Sequence, residues 1–408
     1  EVRLTPDELV VKVRSRRGIV RKASAAFSEI ETLPSTQPAL VKKTVQLLGT
    51  LDTHVRTAAL LDQVQPEFES YLSGELIDHY LVPGRGRRYH WYLPSTAKRR
   101  TAWTRAIARA IYTRVAVHRG WVGAAIRLKT SAWLADAYAR MIPYDTEHVI
   151  VTLDFLPFLW RTGALGGRTF DVLLTRPPLA VVQERLERAA LELPYEKALL
   201  EFRAPRELVE AESEAFVFAE RVITPHEDYA RMFPNLRKLE WQKPNAQPPA
   251  DVHNPRYLLF PESLAAREGA HAALGASELL GLPLLIIGQD LEGLSIESDV
   301  VSFTSASEIP WHEVAAVVHP TLYESWPRLH LHALEIGIPV IVTDAVGLEE
   351  GSGVTIVPFN DEEALVRALE RALRLPGSRS REKSASRSSK SNTSAANSTA
   401  SRPESILP

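Results

Sequence analysis

The sequence predicts an α/β fold of two parallel sheets, each covered by helices, with extra helices ahead of the first sheet and a disordered segment after the second. Three observations carry this reading. From His148 onward, short β-branched or apolar runs alternate with helical stretches, the order that strand–helix–strand units of a parallel sheet require. The run from Gln242 to Pro255 holds Pro244, Pro248, Pro249 and Pro255 among polar residues. It cannot continue a helix or a central strand, so it separates two sheets. A chain of 408 residues, 45% apolar and 24% charged, has enough apolar surface for a core in each.

The domains follow in order: an N-terminal domain over residues 1–245, a second sheet domain over 256–375, and a Ser-rich tail over 376–408. In the first, a helical pattern is expected from Thr5 to about Leu72, where Leu40, Val41, Val45, Leu47, Leu48 and Leu51 crowd one stretch and Leu60, Leu61, Val64 and Phe68 recur at helical steps. Strands are expected at His148 to Leu153, Phe170 to Thr175, Arg221 to Thr224 and Lys238 to Trp241. In the second domain they are expected at Tyr257 to Phe260, Leu284 to Gly288, Val300 to Thr304, Ala315 to His319, Val340 to Thr343 and Val354 to Val357. The last helix has Asn360 and Asp361 as caps, Glu362 and Glu363 in its first turn, and Leu365, Leu369 and Leu373 along one face. The tail has too little apolar surface to offset its ordering entropy.

Charge and cysteine content exclude several classes. A formal net charge of −2 gives no global attraction to nucleic acid or anionic lipid. With no cysteine there is no disulfide framework, thiol nucleophile or thiolate metal site, which suits the cytoplasm. No apolar run reaches the roughly 20 residues of a membrane-spanning helix. Locally the balance differs: between Asp78 and Asp136 there is no acidic residue, while cations from Arg85 to Lys129 are interleaved with Trp91, Trp103, Trp121 and Trp133. A solvated helical face with acids supplied from elsewhere is the first reading. A peripheral contact with an anionic membrane at its inner face, through Arg85 to Trp133, is the second. No nucleic-acid motif accompanies the charge.

The segment richest in chemistry runs from His319 through Pro320, Thr321, Leu322, Tyr323, Glu324, Ser325, Trp326 and Pro327 into a helix that ends near Gly337, then into a strand at Val340. A strand, an acid-bearing loop and a helix whose N-terminus faces that loop make an anion site beside a carboxylate, at the carboxyl edge of a sheet. That arrangement suits a sugar diphosphate.

Here the sequence resembles the retaining GT-B glycosyltransferases of the group-one, family-4 type. Their donor domain carries Ser, Glu, Gly and an aromatic, then Glu-Ala-Met-Ala, then Gly-x-Pro-Val-Ile, in the order and spacing found here. Leu258 to Gly269 is similar to the family's first strand and phosphate loop in that domain, Leu284 to Gly288 to its next strand, and Arg221 to His226 to the strand that ends the first domain. The resemblance implies two Rossmann-like domains, Glu324 against the reacting sugar, and donor contacts from Ser263, Arg267, Gly269, Ser325, Trp326, Arg328 and His332. It also implies an acceptor-side position for His226, with a buried, hydrogen-bonded histidine as the other reading. The departures are specific. His332 stands where the second glutamate of the family would accept from the ribose, Ser263 and Glu268 stand where cations are usual, and Pro327 removes an amide. Arg328 is the preferred phosphate cation, and Glu268 is expected to repel the phosphates.

The activity implied is transfer of a sugar from a nucleotide-diphospho-sugar to a hydroxyl of a glycan, lipid or small-molecule acceptor, with retention and with neither cofactor nor metal. His330 and His332, two residues apart on a helix, face different ways and do not share a metal. A non-catalytic protein of the same shape, binding a glycan or protein partner, is the alternative. A third reading keeps the fold and changes the reaction to sugar-nucleotide epimerisation.

Overall fold

The computed structural model describes residues 2–5, 8–14, 20–22, 54–84, 91, 97–118, 123–196, 199–200, 203–245, 254–294 and 300–373. The helical run expected at Leu40 to Leu51, the basic residues Arg85, Arg87, Arg88 and Arg119, Trp121, and the tail 376–408 lie outside these. The chain divides into two compact units, residues 1–173 with 210–223, and residues 174–209 with 224–408.

The first unit corrects the reading of its opening residues as helical. Val2–Thr5 (β1), Glu8–Arg14 (β2) and Val20–Lys22 (β3) form an antiparallel sheet. Val10, Val11 and Val13 are β-branched and favour extended backbone over helix. A second correction concerns Leu60 and its neighbours. Thr57–Leu60 (β4) is a strand, and among the described residues up to Ser73 only Pro66–Ser73 (α1) is helical. All four residues of β4 are buried, so its sequence shows no alternation and its period is unreadable.

His79–Val82 (β5) and Lys98–Thr101 (β6) follow, then helices Trp103–His118 (α2) and Gly123–Met141 (α3). His148–Thr152 (β7), Leu156–Arg161 (α4) and Thr169–Leu173 (β8) come next. Helices Leu179–Glu192 (α5) and Arg206–Phe218 (α6) lead to Arg221–Thr224 (β9). These six strands are parallel neighbours in the order β6-β5-β4-β7-β8-β9. Numbered by sequence they read 3-2-1-4-5-6, the doubly wound order of a dinucleotide-binding sheet. The polar strand β6 sits at the edge, where charged side chains discourage further pairing.

The second unit repeats the plan. Leu236–Lys238 (β10) is not a strand of its sheet, which is built from Tyr257–Phe260 (β11), Leu284–Ile287 (β12), Val301–Thr304 (β13) and Val314–His319 (β14), with Ala270–Leu280 (α7) after β11. Arg328–Glu335 (α8), Val340–Val342 (β15), Val354–Ile356 (β16) and Glu362–Ala372 (α9) complete it. The sheet order β13-β12-β11-β14-β15-β16 is again 3-2-1-4-5-6, all parallel. Leu258, Phe260, Ile286, Val318 and Ile341 pack on one face beneath α7 and α9, while Leu259, Leu285, Val317, Val340 and Val342 pack on the other beside Leu331 of α8. Alternate residues thus enter two cores, which is why these strands read as continuous apolar runs. The Asp361 cap forms as expected, its carboxylate accepting from the Ala364 amide at 2.8 Å.

One buried charge cluster ties the first sheet together. Asp171 of β8 is fully buried and accepts from Arg221 of β9, whose Nε lies 3.0 Å away, with His148 Nε2 at 3.1 Å and Glu75 taking a further bond from Arg221 at 3.2 Å. Burial opposes ionisation of Asp171, but His148 and Arg221 outweigh it and hold its carboxyl below the usual range. Asp171→Asn keeps the shape and leaves Arg221 without its buried counter-charge. We expect a loss of about 3 kcal/mol in denaturant unfolding, and an unchanged midpoint would mean that the cluster contributes nothing net.

Candidate functional site

In the 3-2-1-4-5-6 order the winding direction reverses between the first and fourth strands, leaving a crevice at their carboxyl ends. In the second unit that point lies between β11 and β14, so the loops 261–269 and 320–327 emerge side by side. They are knitted together. The Leu322 amide donates to the Arg267 carbonyl at 2.9 Å, and Thr321 Oγ1 donates to Glu268 Oε2 at 2.8 Å. Gly269 has φ +78°, and a Cβ there would lie 2.2 Å from the Pro320 carbonyl oxygen. Only glycine lets the first loop pass so close to the second.

Beneath the crevice runs a buried polar chain. Arg267 Nε donates to Glu268 Oε1 at 2.9 Å, Glu268 Oε2 lies 3.4 Å from His319 Nε2, and His319 Nδ1 shares a proton position with His330 Nε2 at 3.0 Å. Glu268 is only 9% exposed. Burial works against its charge, yet His319, Arg267 and Thr321 together hold its carboxyl below the usual range. The expectation that Glu268 would face and repel phosphates is therefore corrected, because its charge is balanced inside the fold. His330, fully enclosed on the first turn of α8, is pushed far below the ordinary histidine value by burial and by His319, so it stays neutral.

The other residues singled out by the sequence fall into place around this chain. Glu324 is half-buried, and its Oε1 accepts from the amides of Ser325 at 2.5 Å and Trp326 at 2.7 Å. The carboxylate thereby occupies amides of its own loop just ahead of α8. Arg328, the first residue of that helix, donates to the Gln242 carbonyl at 2.8 Å and lies over the Trp326 ring at 5.2 Å. Ser263 Oγ accepts from the Gln289 amide at 3.2 Å. His332 is half-buried with its ring 4.5 Å from that of Trp311. Ser263, Arg267, Gly269, Glu324, Ser325, Trp326 and Arg328 belong to the two loops and the helix start, and His332 lies further along α8 against Trp311.

His226 is 1% exposed, with Tyr229 and Trp241 rings each 5.1 Å away. Gly347, φ +72°, presses so close that a Cβ there would meet His226 Nδ1 at 1.9 Å. The fold encloses this histidine, and both of its ring nitrogens are buried. Nearby, Arg185 of α5 donates to the Leu322 carbonyl at 3.1 Å and to Asp228 at 2.5 Å. With Arg188, Thr321, Thr343, Asp344 and Phe359 it lines a cavity of about 580 Å³ at the carboxyl ends of β14 to β16.

The reversal point of the first sheet, between β4 and β7, holds residues that sequence reasoning missed. Asp62, two positions beyond β4, accepts from Arg109 Nη1 at 2.8 and 2.7 Å and is nearly buried. Burial is the largest influence on it and raises its pKa; Arg109 opposes and Asp154 assists. Arg109 is 47 positions away, so no local motif could announce the pair. Among the described residues, one group of His and carboxylate side chains has ligand atoms within 4.8 Å of one another: His148, Asp171 and Glu220. There Arg221 already supplies the positive charge.

A pH dependence follows from His226. Burial lowers its pKa to about 4, with Arg185 assisting and the Ser325 backbone opposing. The unfolded chain takes up this proton near pH 6.5 and the folded chain only near 4, so stability is lost as pH falls through that window, by about 3 kcal/mol at most. In His226→Gln the slope of unfolding free energy between these pH values should flatten by about one proton, as read from denaturant titrations. An unaltered slope would assign the acid sensitivity to other groups, His330 first.

Residues 266–374 match the family model described as glycosyl transferases group 1. The fold is similar to that of sucrose-phosphate synthase from Thermosynechococcus elongatus, at 15% identity and a TM-score of 0.53, covering 79% of this chain and 90% of that one. It also aligns with the apo lipopolysaccharide outer core galactosyltransferase WaaB, at 13% identity and TM-score 0.44 over 78% of this chain and 90% of that one. The catalytic domain of starch synthase IV from Arabidopsis thaliana aligns at 10% identity and TM-score 0.45, over 78% and 92%. No curated protein sequence matches the chain. The two doubly wound sheets thus share the two-domain GT-B fold, and residues 266–374 of the second unit match the group 1 glycosyl transferases.

Proposed function

We propose that the protein transfers a sugar from a nucleotide-diphospho-sugar to an acceptor hydroxyl with retention, and that the donor diphosphate lies over the loops 263–269 and 320–328. The convergence of these loops at the reversal point, inside the segment matched to glycosyl transferases, is the observation that supports the reading most directly.

In this account the chain's work is electrostatic. Glu324 leaves the Ser325 and Trp326 amides to accept from hydroxyls of the donor sugar, and the vacated amides donate to the phosphate oxygens in its place. Arg328 turns from the Gln242 carbonyl to the diphosphate, and Arg267 shares its guanidinium between Glu268 and the departing group. Fixed cations and backbone dipoles of this kind can stabilise the leaving diphosphate without a metal. His332 offers the ribose a single acceptor nitrogen when neutral, and burial lowers its pKa toward that form.

One observation favours the second reading, a non-catalytic binder of glycan or protein. Arg267 and Arg328 both have partners within the chain, and Glu324 fills the amides that an anion would use. Donor binding then has to exchange internal bonds for external ones, and a chain that has lost transfer would keep the internal set.

Thermal unfolding with a panel of nucleoside diphosphates and their sugars separates the readings. A ligand present at about 100 times its dissociation constant stabilises by about 2.7 kcal/mol. We expect one nucleotide to raise Tm selectively, Arg328→Ala to weaken that rise, and Glu324→Ala to keep it while lowering transfer about 100-fold or more. A flat response across the panel at saturating ligand would favour the binder.

A further inference from the structure

The outward face of α2 carries four large apolar side chains at strict four-residue intervals: Trp103, Ile107, Ile111 and Val115, exposed by 60, 52, 59 and 46%. Residues four apart lie one above another on a helix, so these form a continuous stripe along its length. Its inward face is accounted for: Arg109 binds Asp62, and Tyr112 meets Trp133 of α3 edge-on at 5.0 Å. Among the described residues nothing covers the stripe, and a patch of this kind on a folded chain marks an interaction surface.

The charges around the stripe identify what it meets. Arg114 and His118 are exposed on the same face, and Lys98, Arg99 and Arg100 are exposed on β6 immediately before the helix. Residues 79–135 contain no carboxylate. Among the described residues, Lys98 and Arg114 form no ion pair. A second copy presenting the same face would set these cations against each other across a two-fold axis. A nucleic-acid backbone would meet the cations but leave the two isoleucines and the valine unused. An anionic bilayer surface answers both features, with apolar side chains entering the boundary below the headgroups and cations lying at their level.

We propose that the protein docks on anionic lipid through the outward face of α2, with Trp103, Ile107, Ile111 and Val115 inserting and Lys98 and Arg114 facing the headgroups. This is narrower than the whole Arg85 to Trp133 segment. Trp91 is 2% exposed and donates to the Asp62 carbonyl, and Trp133 packs on Tyr112, so neither reaches a surface of this kind. The proposal does not depend on sugar transfer. No helix among the described residues is long and apolar enough to cross a membrane, so the contact is a surface one.

The test is flotation of the full chain with vesicles of phosphatidylcholine alone or mixed with phosphatidylglycerol, at low and high salt. The protein is expected to float with the mixed vesicles at low salt, to float less at high salt, and to stay at the bottom with phosphatidylcholine alone. Because both side chains are exposed, Ile107→Ser with Ile111→Ser should leave Tm unchanged, and it should weaken partitioning about tenfold or more. Arg114→Glu should weaken it at low salt only. Failure to float with the mixed vesicles would overturn the proposal. So would equal flotation of the double variant, or a dimer in sedimentation that the double variant dissociates.

Discussion

Everything proposed for the second unit depends on how closely two loops can approach at the reversal point of one sheet. The glycine at position 269 lets the chain turn left-handed against the Pro320 carbonyl, and that approach brings Glu268 beneath Thr321 and beside His319. A buried carboxylate is tolerable only when its bonds and charge are satisfied. Here Arg267, His319 and Thr321 do both, and His330 extends the chain into α8. The start of that helix and the Glu324 loop are therefore positioned by packing and polar bonds below them, and a ligand need not organise them.

The same network alters what the sequence departures mean. Serine at 263 and glutamate at 268 stand where cations are usual, which read in isolation suggests a damaged phosphate site. In the fold Ser263 holds the turn after β12 through the Gln289 amide, and Glu268 is an internal partner of Arg267. The losses are thus partly conversions of ligand contacts into structural ones. What remains able to meet an anion is the set of Ser325 and Trp326 amides with Arg267 and Arg328, each of which currently has an intramolecular partner. Donor affinity then depends on the difference between two sets of bonds of similar kind.

Legibility in the sequence followed burial. The strands of the second unit could be placed to within a residue or two because their apolar runs are bounded by turn residues, and α9 because its cap and apolar face coincide. Strands β4 to β6 were lost: Thr57–Leu60 lacks alternation because it is buried throughout, and Lys98–Thr101 is charged because it lies at an edge. The loop carrying Glu324 was legible through its spacing from Gly337 and Pro339. Its partners were not, since Thr321 with Glu268 and Asp62 with Arg109 meet across 53 and 47 positions. The basic, tryptophan-bearing stretch was visible as composition, but which of its residues face outward required the helix and its neighbours.

In the proposed reaction a nucleoside diphosphate binds over the two loops of the second unit. Hydrogen exchange at the amides of residues 263–269 and 324–331, with and without the nucleoside diphosphate at saturation, tests it most directly. The account predicts slower exchange at Ser325, Trp326 and the first turn of α8, with the first unit's sheet unchanged. Protection confined to other segments, with these amides exchanging as before, would contradict it.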